Sequence, residues 1–115
     1  MKREAKYVSL LLFIGRFNNL MLENKFKTKL IKEIRARLPG AIVLHTNPPP
    51  QGIPDLLVLY EDRWAALEGK KETGSSHRPN QNYWIDKMNR MSFAAFISPE
   101  NKEEVLHAME RSFSV

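Results

Sequence analysis

The segment Asp55-Leu56-Leu57-Val58-Leu59-Tyr60 constrains the fold most, because it is apolar at successive positions. Strand side chains alternate between two faces, so this one needs cover on both and reads as a central strand. Glu61-Asp62 is a polar turn, and Arg63 to Lys70 reads as the return strand of a hairpin. Trp64, Ala66, Glu68 and Lys70 then share one face.

Cover must come from the flanking segments. At about 100° per residue, Glu23, Phe26, Leu30, Ile34 and Leu38 fall in one helical stripe with Ile31 beside it, while Lys25, Lys29, Lys32 and Arg35 take much of the opposite face. Pro39-Gly40 stops that helix. Ala41 to Thr46 reads as a strand, and Asn47-Pro48-Pro49-Pro50-Gln51-Gly52 as a loop, since three prolines supply no ladder donors. Residues 71–78 form a polar, mobile loop. Pro79 suits the first turn of a helix running to about Met91, with Gln81, Trp84, Ile85 and Met88 inward. Phe93 to Ile97 is a short strand. Ser98-Pro99-Glu100 reads as the cap and first turn of a last helix ending near Ser112. The expectation is an α/β domain, a small mixed sheet flanked by helices in the order α-β-β-β-α-β-α.

The chain of 115 residues is the size of one domain. Residues 1–20 stand apart as an N-terminal extension to a domain spanning 21–115. Lys2, Arg3 and Lys6 precede the apolar run Tyr7 to Ile14, which resembles the start of a signal peptide. The run is followed by Arg16, Phe17 and two asparagines instead of a small-residue cleavage site, and it falls short of the roughly 20 residues that span a bilayer. It suits packing on the domain or on a partner chain, with Met21 as an alternative start. The chain lacks cysteine, which excludes a thiol nucleophile, a thiolate zinc site and disulfides. Eighteen Lys and Arg against thirteen Asp and Glu give a net charge of +5, suited to nucleic acid or an anionic membrane surface.

The chemistry-bearing residues lie at the ends of the hairpin strands. Gly52-Ile53-Pro54-Asp55 opens one strand, and Glu68-Gly69-Lys70 closes its partner. Magnesium takes hard oxygen ligands and keeps several waters, so two carboxylates and the Gly69 carbonyl suffice to hold it. Lys70, on the face of Glu68, is placed to position water or stabilise charge on a phosphate. The alternative is a turn aspartate with solvated charges at strand ends. Glu23 and Gln81 are polar residues on inward stripes, costly there unless paired; both also suit exposed first turns. Lys71, His77 and Arg78 suit phosphate contacts or a merely solvated loop. His45 suits a strand edge, Trp64 and Trp84 a core. The three histidines have no zinc-site spacing.

Taken together, Glu23, Gly52-Ile53-Pro54-Asp55, Glu68-Gly69-Lys70 and Gln81 resemble the motif series of the PD-(D/E)XK nuclease superfamily, and within it the virus-type replication-repair nuclease (VRR-NUC) family. The resemblance covers roughly residues 21–105. Arg90-Met91-Ser92 departs from it, because the family commonly has a glycine before the next strand. The resemblance implies a Mg2+- or Mn2+-dependent DNA endonuclease with Asp55 and Glu68 as metal ligands, Lys70 positioning water, and Glu23 and Gln81 in support. It further implies action on branched DNA, a homodimer, and a cytoplasmic setting with no membrane association. The apolar segment 7–14 is the candidate dimer surface. Rival readings are a sequence-specific restriction or homing nuclease, and a non-catalytic DNA-binding or assembly module retaining the fold.

Overall fold

The computed structural model of the protein describes residues 21–46 and 51–114. The apolar segment 7–14 and most of the three-proline loop lie outside them. The first helix, α1, runs from 21 to 37 within the described residues. It is followed by β1 (Ile42–His45), β2 (Leu56–Tyr60), β3 (Arg63–Gly69), α2 (Gln81–Met91), β4 (Phe93–Ile97) and α3 (Lys102–Phe113). The four strands form one mixed sheet in sequence order. β1–β2 and β2–β3 are antiparallel, and β3–β4 is parallel, with α2 as the crossover. The expected mixed sheet and its order of elements are both present.

The register sorts the side chains into two layers. Val43 faces Val58, Val58 faces Ala65, and Leu56 faces Leu67. These residues, with Ile97, meet Leu30, Ile34 and Leu38 of α1 and Val105, Leu106, Met109 and Phe113 of α3 in the main core. On the other face Ala66, Ala94 and Ile85 form a smaller cluster, against which Trp64, Met88 and Phe96 pack. The double cover demanded by the apolar central strand therefore comes from α1 and α3 on one side and α2 on the other.

Two helix starts differ from the sequence expectation. α2 begins at Gln81, not at Pro79, because Asn80 has φ 68°, a left-handed conformation that cannot continue a helix. α3 begins at Lys102, preceded by Asn101, so Ser98-Pro99-Glu100 lies in the connecting turn. The Asn101 carboxamide joins strand to helix. Its Oδ1 accepts from the Ser98 backbone N–H (2.7 Å), and its Nδ2 donates to the Phe96 carbonyl (3.3 Å). Ser92, where the resembled family has glycine, has φ −151° and so needs no glycine; its hydroxyl donates to the Trp64 carbonyl at 2.5 Å. Among the described residues, no helix is long and apolar enough to cross a membrane.

α1 and α3 are also joined by charge. Arg37 contacts Glu110 (2.9 Å), Glu103 (2.6 Å) and Glu33 (3.1 Å), and Lys102 contacts Glu33 (2.8 Å). The carboxylates beside Arg37 raise its pKa further, and Lys102 is the main cause lowering that of Glu33. These partners are part-exposed, so solvent screens them. Burial should therefore dominate the attachment of α3: Leu106→Ala is expected to lose about 3 kcal/mol of stability. Arg37→Ala should lose about 1 kcal/mol, less in high salt. Urea unfolding of both variants at low and high ionic strength measures the difference.

Candidate active site

The site forms where the end of β3 meets the residue before β2. The register places Leu56 opposite Leu67, so Asp55 and Glu68 meet just beyond that pair. Each is held by the other's strand. The Asp55 backbone N–H donates to Glu68 Oε1, and the Gly69 N–H donates to Asp55 Oδ1, both at 3.2 Å. The strand entering Asp55 is fixed from β1, where the Thr46 N–H donates to the Asp55 carbonyl (2.9 Å) and the Thr46 hydroxyl to the Pro54 carbonyl.

Gly52 sets the approach to this strand. Its φ is 92°, and a Cβ there would lie 2.7 Å from both the Asn80 carbonyl carbon and the Pro79 carbonyl oxygen. Only glycine allows the chain before Asp55 to lie against the chain that starts α2.

Glu68, Lys70 and Gln81 are buried at 8%, 6% and 4% exposure, so each needs polar partners. They have them. Lys70 Nζ donates to Gln81 Oε1 (2.9 Å) and to the Ser76 carbonyl (3.2 Å), and lies 4.0 Å from Glu68 Oε2. Gln81 Oε1 also accepts from the Arg78 backbone N–H at 2.8 Å. The amide that sequence placed on the inward stripe of α2 thus orients Lys70 and closes the 71–78 loop.

That loop, expected to be mobile, is tethered along its length. Thr73 Oγ1 lies 2.8 Å from Ser98 Oγ, and the His77 ring stacks on Phe96 with centroids 3.8 Å apart. His77 Nδ1 is also 2.6 Å from Asn82 Oδ1. His77 and Arg78 are exposed at the rim, and Lys71 is half-buried beside Lys70. Glu23 is half-buried on α1, and no hydrogen bond or ion pair joins it to Asp55, Glu68, Lys70 or Gln81. His45 is exposed on the edge strand β1, and Trp64 packs against the smaller core.

The residue that α1 brings to the site is Lys27. Its Nζ lies 2.6 Å from Asp55 Oδ2. The lysine stem passes over Gly69, where a Cβ would meet Lys27 Cγ at 2.9 Å. The bare Cα of Gly69 therefore serves as a passage for Lys27, a role distinct from the accessible carbonyl expected of it. The sequence carries part of the signal: at about 100° per residue, Lys27 falls between Ile34 and Leu38 inside the apolar stripe.

Among the described residues, no group of three or more His, Asp or Glu side chains is placed to hold a metal ion. A divalent cation would instead rest on Asp55, Glu68 and one carbonyl. The Lys70 N–H donates to the Ile97 carbonyl of β4 at 2.8 Å. In a trans peptide the Gly69 C=O points the opposite way, away from β4 and toward the β2 side of the strand. The donor set is hard oxygen and fits magnesium or manganese. The charge on Glu68 supports the same fit. Burial and the nearby Asp55 carboxylate push its pKa up to about 7, against the partial relief given by Lys70 and Lys27. A cation on this pair would relieve both causes.

Without divalent metal, folded Glu68 keeps its proton from its ordinary 4.5 up to about 7. The native state then binds more protons than the unfolded state across that window, so stability falls as pH rises through it and levels above it. The loss is at most on the order of 3 kcal/mol, and Glu68→Gln should flatten the profile in denaturant melts with a chelator present. Gly52→Ala should cost roughly 2–4 kcal/mol through the positive φ and the backbone clash, measured by the same melts.

No family model matches the chain and no curated protein matches it, so the functional reading rests on the residues and their arrangement.

Proposed function

We propose that this protein is a PD-(D/E)XK-type nuclease that hydrolyses DNA phosphodiester bonds with a divalent metal, Mg2+ or Mn2+. The observation that carries the reading is the reciprocal Asp55–Glu68 pair, with Lys70 fixed at its side by the buried Gln81 amide. Two carboxylates forced together cost free energy, and a protein that only needed a strand end would not require them.

Asp55, Glu68 and the Gly69 carbonyl would hold the metal, which when bound supplies Lewis acidity toward the phosphodiester and lowers the pKa of water. Lys70 is the positioning cation. Its two hydrogen bonds, to Gln81 and to the Ser76 carbonyl, fix the ammonium beside Glu68, where it can orient the attacking water or meet charge developing on the phosphate. His77 and Arg78 sit at the rim, where DNA phosphates would pass, and Lys71 lies next to Lys70. The net charge of +5 favours that encounter.

Branched DNA is the proposed substrate and a homodimer the proposed working form, since two strands need two sites. The setting is then cytoplasmic, where such DNA is found. Deleting residues 1–20 should give a folded monomer, and sedimentation of the full and shortened chains at equal concentration tests this.

Purified protein with Mg2+ should cut flap, splayed or four-way DNA in preference to linear duplex. Asp55→Ala and Glu68→Ala should each lower the rate by about a thousandfold or more while the fold is kept. Undiminished cutting by either variant would remove the metal assignment. Lys70→Ala should slow cleavage far more than it weakens binding, whereas Arg78→Ala should weaken binding and flatten its salt dependence.

A further inference from the structure

Lys27 has no place in the motif series, yet it makes the shortest ion pair in the site, and two observations single it out. First, it approaches from α1, on the opposite side of the sheet from Glu68 and Lys70, and it does so over a residue with no side chain to obstruct it. Second, its ammonium rests on Asp55 Oδ2, while Oδ1 is taken by the Gly69 N–H. Of the two Asp55 oxygens, Oδ2 therefore accepts no backbone N–H among the described residues and is held by Lys27. Four other lysine or arginine side chains on α1 (Lys25, Lys29, Lys32 and Arg35) are exposed on its far face.

We propose that Lys27 is a resident counter-ion of Asp55 that an arriving divalent cation displaces, so that metal binding releases a basic group beside the site for the DNA phosphate. This rests on the nuclease reading and names a residue that the reading does not contain. The two cations compete for one carboxylate, and like charges within a few ångströms repel strongly. Metal binding and release of Lys27 are then linked, and each weakens the other by the same factor. The freed ammonium, on a flexible four-carbon stem, can turn toward a bound phosphate without moving α1. In the metal-free protein Lys27 would also offset the repulsion between Asp55 and Glu68, keeping the pair assembled.

The test measures Mn2+ binding by calorimetry in the wild-type chain, Lys27→Met and Asp55→Asn, without DNA. Lys27→Met should bind Mn2+ about tenfold more tightly, because its competitor is gone, yet cut DNA more slowly at saturating metal. An affinity equal to or weaker than that of the wild type overturns the proposal. Asp55→Asn reports on the underlying reading separately: it should lose Mn2+ binding, and unchanged binding there would overturn the metal site itself. A measurement on the unaltered protein guards against a misfolded variant. In spectra of 15N-labelled lysine ammonium groups, assigned with Lys27→Arg, Mg2+ should move the Lys27 signal to a solvent-like position. A Lys27 signal that stays fixed at saturating Mg2+ overturns the proposal.

Discussion

The arrangement depends on one reciprocal interaction across two strand ends, in which Asp55 and the Glu68-Gly69 segment each donate a backbone N–H to the other's carboxylate. It satisfies donors that the sheet leaves open where β2 begins and β3 ends. It also holds the two carboxylates near enough for the charge of Asp55 to raise the pKa of Glu68. The hairpin turn at Glu61-Asp62, with Glu61 at φ 55°, sets the register of that meeting from the far end of the strands. A slip of one residue would turn Glu68 to the other face and dismantle the site.

Around this pair the protein supplies polar contacts in place of water. Gln81 is the hinge of that supply, because a single amide oxygen accepts from both Lys70 and the Arg78 backbone. The start of α2 is therefore shaped by the site as much as by helix energetics. Asn80 takes a left-handed conformation, and Gly52 lies against the Pro79-Asn80 backbone. Backbone strain collects where the segment entering Asp55 and the segment leaving the 71–78 loop press together, as it often does beside functional groups.

Much of this was legible in the sequence, for identifiable reasons. The apolar run Leu56 to Tyr60 required cover on both faces, and alternation along β3 placed Glu68 and Lys70 together. The inward position of Gln81 flagged an amide in need of a partner. The helix starts were misplaced because Pro79 and Pro99 both suit a first helical turn, whereas the backbone at Asn80 and the side chain at Asn101 decide the matter. Lys27 escaped notice because a long lysine within an apolar stripe usually carries its charge back out to water. Recognising it needed the tertiary fact that α1 crosses the end of β3 at a glycine. Glu23, drawn from the same stripe, lies one turn earlier and has no bond to the carboxylate pair.

Gly69 gives the molecule a further property. A sheet ordinarily insulates its two layers from each other, since every position carries a side chain on one face or the other. At Gly69 that insulation is interrupted, and a side chain rooted in the α1 layer reaches a carboxylate paired with Glu68 on the opposite face. Positions 27 and 69 are consequently one steric unit. During divergence, a side chain acquired at 69 would push the Lys27 stem off its path to Asp55 unless position 27 also changed, so these two positions, far apart in the chain, should vary together.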